Sequence, residues 1–352
     1  MINSLQSLRF VFISLVYASH IALYGHKFDF GGECGVAFFF VLSGFVLSVG
    51  YGERIACGAF RSRQFVLKQL IKLYPLHIVT MGLMVALDAR LQRYYGADVL
   101  AANVLLVQSW FPFDRFHFVA NGVSWFLSDM LFFYVIAAPL YMAVTRARRR
   151  TLMTACAAAS AVWVVVTVWA PGESVNAVLY CSPLLRAVDF AGGMILYRVY
   201  RSDVSGRLAA WLDDRGSRVV TAMELTAAAL VVASYFVYRE LPTNVRCCGL
   251  FYIVIPVVVY VFAMTDRRGG VLTRLLHAKA LVRLGGVTFE IYMLHLVVAR
   301  LLSAGARAVG VDQFSAVFAV ACFAVTIACS FAVKKYFVDV IYSSMKNYVQ
   351  KV

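Results

Sequence analysis

Gly35-Val36-Ala37-Phe38-Phe39-Phe40-Val41-Leu42-Ser43-Gly44-Phe45 is the stretch that decides the fold class. It holds no charged residue and forms the middle of an apolar run over 34–51. A helix crossing the hydrocarbon core of a bilayer needs about 20 predominantly apolar residues, because each residue rises only about 1.5 Å. The run has that length. Similar runs recur near 7–24, 72–88, 99–112, 122–144, 151–170, 178–197, 219–238, 247–265, 284–303 and 314–333.

Composition points the same way. Of 352 residues, 62% are hydrophobic and 14% charged, with a mean hydropathy of +0.78. A soluble domain of this length carries about 25% charge. The sequence therefore reads as all-α: a polytopic membrane helix bundle of about ten transmembrane helices plus one short re-entrant segment. A membrane β-barrel would show short alternating strands instead. The expected organisation is one integral-membrane domain over 1–340 and a short cytoplasmic tail over 341–352, with no sizeable soluble domain. The first run reads as a retained helix rather than a cleaved leader, since Arg9 is the only basic residue near its start.

The net charge of +15 is not a nucleic-acid signature, because the basic residues cluster in some loops and spare others. The clusters are Arg54–Lys72, Arg146–Arg150, Arg198–Arg218, Arg267–Arg283 and the lysines from Lys334 onward. Near-neutral loops lie between them at Tyr24–Glu33, Asp88–Asn121, Pro171–Asn176, Arg239–Arg246 and Ser303–Asp312. Basic loops face the cytoplasm. The alternation works only if the segment around Asn103–Trp110, rich in Ala, Asn, Gln and Ser, enters without crossing. Both termini are then cytoplasmic. Backbone at membrane depth is tolerated only where protein or a water-filled cavity shields it, so this segment is expected to line the site.

Several constellations stand out. Arg9 and His20 lie eleven residues apart in the first run, on one helix face and about 16 Å apart. Ionisable groups inside a span face the protein interior and are functional by default. Ser43 and Gly44 among bulky aromatics suit close helix packing. Lys68 and Lys72 share a face at i,i+4 and could hold phosphates. Ser128 and Asp129 follow Trp125 at the start of a span, and Arg186 with Asp189 reads as a self-neutralising pair. Thr288, Tyr292 and His295 form one stripe, from which Glu290 points away. His26, His77, His117 and His277 are placed at or near loops and given no role. The eight cysteines are scattered; Cys247-Cys248 is their one close pair, and no metal-ligand spacing is present.

In order along the chain, these residues resemble the integral-membrane acyltransferase-3 family, which O-acylates glycans and other hydroxyl acceptors. Arg9, ten intervening residues and His20 look like the family's opening motif. Phe39–Phe45, Tyr74-Pro75-Leu76, Ser124-Trp125-Phe126-Leu127-Ser128, Phe190 with Gly193-Met194, and Ile291-Tyr292-Met293-Leu294-His295 follow. The chain departs from the pattern at Gln69 and Lys72, where the family often carries two arginines. It departs again at Met130 and Leu131, where many members carry glutamates.

The resemblance implies an O-acyltransferase of the bacterial cytoplasmic (inner) membrane with no tightly bound cofactor. Acyl-CoA, most often acetyl-CoA, would be the cytosolic donor, and a glycan or lipid-linked saccharide the acceptor outside. Membrane lipid is the third partner; nucleic acid is not one. His20 is the expected general base or acyl carrier, and Arg9 the donor anchor or a stabiliser of charge on the thioester oxygen. Lys68 and Lys72 would hold CoA phosphates, while Trp125, Ser128, Asp129, Glu290, Tyr292 and His295 would line the acceptor side. A transporter or flippase using Arg9, His20, Asp129, Glu290 and His295 as an ion pathway fits the charge placement almost as well. A glycan polymerase is a third reading.

Overall fold

The computed structural model describes residues 2–23, 26–27, 31–170, 175–246 and 251–351. Cys247, Cys248 and parts of the loops at Tyr24–Glu33 and Pro171–Asn176 lie outside the described residues, as does the His26 side chain. The elements are α1 (Asn3–His20), a two-residue antiparallel pair β1 (Ala22–Leu23) and β2 (His26–Lys27), α2 (Gly32–Ala56), α3 (Ser62–Arg90) and α4 (Ala97–Val104). Next come α5 (Trp125–Arg146), α6 (Arg149–Trp169), α7 (Pro183–Tyr200), α8 (Asp203–Arg215), α9 (Ser217–Glu240) and α10 (Thr243–Arg246). The last are α11 (Phe251–Thr265), α12 (Val271–Leu276), α13 (Lys279–Gly285), α14 (Thr288–Ala308), α15 (Ala316–Val333) and α16 (Asp339–Lys351).

Among the described residues, nine helical stretches are long and apolar enough to cross a bilayer. The all-α polytopic bundle is thus borne out. Helix α1 misses that hydropathy because Gln6, Arg9, His20 and four serines interrupt its apolar residues. It runs inside the bundle against α2, α13 and α14, where Ser4, Ser7 and His20 find partners on other helices. The segment expected not to cross does not. Helix α4 is eight residues, about 12 Å long, and gives way to short 3₁₀ turns at Gln108–Trp110 and Asp114–Phe116.

Helix α2 is the hub. Two thirds of its most apolar window is buried, against 6% for α6 at the periphery. It packs on α1, α5, α7 and α11. The α2–α7 crossing is close because Gly44 faces the Phe190 carbonyl and Gly193 faces the Val41 carbonyl, and a Cβ at either glycine would collide with backbone. This is the packing role expected of Ser43-Gly44. Antiparallel neighbours bring all the basic clusters to one end of the bundle, the basic end.

Two expectations need correction or extension. His77 is not near a loop: α3 continues through Pro75, so His77 is buried mid-helix, its Nε2 3.0 Å from the Asn103 carbonyl. At the basic end, Asp266 accepts the Ser4 amide of α1 at 2.9 Å and lies 2.8 Å from His277 Nε2, while Ser4 Oγ donates to the Phe262 carbonyl. A carboxylate at a helix N-terminus satisfies orphan amides and complements the helix dipole. Burial alone would raise the Asp266 carboxyl, but bonds from Ser4 and His277 hold it below the usual carboxylate range.

A depressed carboxylate contributes stability that is complete above its unfolded pKa and is lost as pH falls through its folded one. Asp266→Ala should therefore destabilise the protein at neutral pH by about 1 kcal/mol, with the gap from wild type closing on acidification, read as thermal midpoints in detergent. Gly44→Ala should cost about 1–3 kcal/mol by overpacking, whereas Gly50→Ala, with open space around it in the same helix, should leave the midpoint unchanged or raised.

Candidate active site

A cavity of about 120 Å³ is lined by α1, α2, α3, α5 and α14. Each helix contributes one face. Arg9 comes from α1, Phe39 and Ser43 from α2, and Gln69 and Lys72 from α3. Helix α5 contributes Phe126, Met130 and Tyr134, and α14 contributes Thr288 and Tyr292 at one-turn spacing. The charged lining, Arg9 and Lys72, belongs to the half nearer the basic end. Arg9 Nη1 reaches only its own neighbour Gln6 Oε1, at 3.4 Å, and its buried Nε has no hydrogen-bond partner among the described residues.

One turn beyond Tyr292, at the other end of α1, His295 meets His20. His295 Nε2 and His20 Nδ1 are 3.2 Å apart. The surrounding carbonyls define where the protons sit. His295 Nδ1 is 2.7 Å from the Tyr292 carbonyl and 3.2 Å from that of Ile291. A carbonyl oxygen only accepts, so this nitrogen carries a proton and Nε2 of the neutral ring is an acceptor. His20 Nδ1 faces that acceptor and also the Val16 carbonyl at 2.8 Å, so it too carries its proton. Neutral His20 therefore holds its basic lone pair on Nε2. A partner that fixes a working imidazole's tautomer from behind is the arrangement by which histidine bases are oriented.

The non-crossing segment braces this pair. Tyr292 donates its hydroxyl to the Val123 carbonyl at 2.7 Å, and Asn121 Nδ2 donates to the Met293 carbonyl at 3.0 Å. Asn103 Nδ2 donates to the Val99 and Phe116 carbonyls, and Gln108 Nε2 reaches Ser124 Oγ at 3.4 Å. Buried amide side chains thus close backbone groups that lipid could not satisfy.

The sequence-expected residues fall into three places. Arg9, Lys72 and Tyr292 line the cavity, and His20 and His295 lie beside it. Lys68 sits one turn from Lys72 toward the basic end and does not line it; Gln69 does. Glu290 is buried, 3.7 Å from Lys334, and close enough to Arg9 and Lys72 to offset their charge. Trp125, Ser128 and Asp129 sit on the side of α5 away from the cavity. Trp125 packs against Tyr180 with ring centroids 4.7 Å apart, and Asp129 has Arg186 and Asp189 as electrostatic neighbours. Arg186 and Asp189 pair at 3.1 Å, as expected. Lys334 was missed because its partner lies forty-four residues away; Gln69, Tyr134 and Asn121 were legible as polar groups in apolar runs. Among the described residues no cluster of His, Cys, Asp or Glu could hold a metal ion.

A family model described as an acyltransferase domain matches residues 2–335, nearly the whole chain. The chain belongs to the acyltransferase-3 family. It is also similar to the acyltransferase MdmB of Streptomyces mycarofaciens, 29% identical over 289 residues that cover 76% of this chain and 68% of the relative. No solved structure matches. The protein is thus a multi-pass membrane acyltransferase, with facing histidines and cavity-lining cations in its polar core.

Replacing His295 tests the positioning geometry. His295→Ala removes the acceptor behind His20 and should lower kcat about 10–100-fold, the usual cost of losing a partner that orients a working histidine. KM for the donor should stay near wild type, and the acid limb of the pH–rate profile should move. His295→Gln, which can return an amide oxygen to the same place, should recover part of the loss; a variant pair indistinguishable from each other in rate and pH profile argues that His295 only fills space.

Proposed function

We propose that this acyltransferase moves an acyl group, acetyl first among the candidates, from acyl-CoA to a hydroxyl of a cell-surface glycan or lipid-linked saccharide. The donor enters from the basic end, which is cytosolic in a bacterial inner membrane with both termini inside, and the acceptor from the opposite end. The observation that carries this reading is the division of labour along α1. The cations Arg9 and Lys72 stand at the basic half of the cavity, and a tautomer-fixed imidazole stands at the far end of the same helix.

In the proposed reaction, His20 Nε2 takes the proton of the acceptor hydroxyl as its oxygen attacks the thioester carbonyl carbon. The C–O bond forms, the C–S bond breaks, and the departing thiolate recovers the proton from the imidazolium. The products are an ester and free CoA thiol. His295 and the Val16 carbonyl, both facing His20 Nδ1–H, stabilise the transient imidazolium. The separation of about 16 Å along α1 supports Arg9 as an anchor for the anionic part of the donor rather than as a stabiliser of the thioester oxygen. Lys72, and Lys68 at the mouth, act on phosphates as point charges. Glu290 offsets part of the excess positive charge, and its pairing with Lys334 keeps it from cancelling that charge.

The test supplies radiolabelled acetyl-CoA to inverted membrane vesicles and follows label into alkali-labile ester on surface saccharide. His20→Ala should lower incorporation at least about 100-fold while the protein stays folded and inserted. Lys72→Gln and Arg9→Gln should act mainly on the KM for acyl-CoA. Full incorporation by His20→Ala removes His20 from the mechanism. Label that crosses the membrane without becoming esterified identifies a carrier instead.

A further inference from the structure

Away from the active site, α6 stands apart from the bundle. It packs chiefly at its Trp169 end, where Asn244 Nδ2 donates to the Thr167 carbonyl at 2.9 Å. Between the rest of α6 and the faces of α5, α7 and α11 lies a cleft of about 740 Å³. Small residues on α5, α6 and the turn between them open it: Ala143, Ala147, Ala155 and Ala159. Trp163 and Tyr252, edge to face at 6.4 Å, flank it deeper in. Among the described residues its one charged lining residue, Asp189, is paired with Arg186.

Space of this size and polarity at membrane depth has a definite occupant class. Ligand pockets run to about 300–1,000 Å³, so the cleft is large enough for a specific guest. Apolar cavities stay dry, and an unfilled gap forfeits dispersion contacts on both walls. Hydrocarbon chains of the surrounding bilayer are the material at hand. What makes the site selective is its basic mouth. The turn between α5 and α6 reads Arg146-Ala147-Arg148-Arg149-Arg150, and all four arginines are exposed. No acidic residue lies within that turn. Arg198 Nη1 donates to the Val144 and Ala147 carbonyls at 2.7 Å, which fixes the turn directly above the cleft.

We propose that this cleft binds an anionic glycerophospholipid, its acyl chains between α6 and the α5–α7–α11 wall and its phosphate on the Arg146–Arg150 guanidiniums. Basic residues at the cytoplasmic edge of a helix bundle attract anionic headgroups, and arginine meets phosphate bidentately. The bound lipid replaces the protein contacts that α6 lacks and holds it against the bundle. The site is independent of the acyl-transfer chemistry, sharing no residue with the cavity of Arg9 and Lys72.

The experiment uses the full-length protein in nanodiscs of matched bulk composition. Chain-brominated phosphatidylglycerol should quench Trp163 fluorescence more strongly than chain-brominated phosphatidylcholine, and the excess should vanish in Trp163→Phe. Replacing Arg146, Arg148, Arg149 and Arg150 together by Gln should weaken retention of phosphatidylglycerol at least about tenfold by native mass spectrometry. Ala155→Phe with Ala159→Phe, which fills the cleft, should abolish the excess quenching while leaving acyl transfer intact. Equal quenching by the two lipids overturns the proposal, as does competition by glycerol phosphate as effective as by the whole lipid. Displacement by undecaprenyl phosphate at lower concentration would reassign the cleft to an isoprenoid-linked saccharide and equally overturn it.

Discussion

Everything in this protein depends on keeping one polar helix out of lipid. Helix α1 carries Gln6, Arg9, four serines and His20 over eighteen residues, a composition that hydrocarbon would penalise heavily. The bundle is arranged to pay that cost with protein partners. Ser4 and Ser7 donate to carbonyls of α11 and α12, at 2.9 Å to Phe262 and 2.5 Å to Leu276, and Asp266 accepts the Ser4 amide. Tyr17 donates to the Ala319 carbonyl at 2.7 Å, and His20 meets His295. A helix that is secured on every side can hold two ionisable groups at fixed separation. That rigidity is what a site assembled at both of its ends requires.

The same constraint explains the non-crossing segment. A crossing helix between α3 and α5 would present a smooth apolar face to α14. The irregular stretch after α4 instead offers carbonyls and amides at the level of Tyr292 and Met293, which is where the histidine pair needs support. At the end opposite the basic clusters, Asp88 is buried and bonded to both Arg300 and Tyr95, so α3 and α14 are tied beyond the site as well. The site is thus clamped from above and along its flank, with the cavity below it left open.

Much of this was legible in the sequence, for a clear physical reason. Hydrocarbon tolerates few polar residues, so each one inside a span is informative, and spans are counted by length alone. The ten long runs, the short segment with Asn103 and Gln108, the close approach at Gly44 and the paired Arg186 and Asp189 were all readable locally. What was not readable was pairing across the chain. His20 and His295 are 275 residues apart, and each reads as a functional polar group in its own span with nothing local to say that they meet. Glu290 looked like a lining acid, and only the position of Lys334 shows it to be a counter-charge. Trp125, Ser128 and Asp129 shared a segment with the lining residues Phe126 and Met130, yet a helix sends adjacent residues about 100° apart. Helical phase separated them, and the sequence alone did not say which face of α5 met the cavity.

The geometry of α1 also constrains how a donor and an acceptor could share this bundle. A guanidinium and an imidazole about 16 Å apart on one helix do not act on the same atom. In the proposed reaction one end holds the large anionic group of the donor and the other activates the reacting atom, so the donor's reactive carbonyl lies at the end of an extended arm. The cavity that Arg9 lines, beside the histidine pair, is mostly apolar beyond its cations, with Phe39, Phe126, Leu127 and Phe289 on its walls. This apolar lining suits the thin arm of the donor in the proposed reaction. In the proposed reaction Phe39 and Phe126, lining residues whose rings meet edge to face at 6.4 Å, are placed to act on the choice of acyl group.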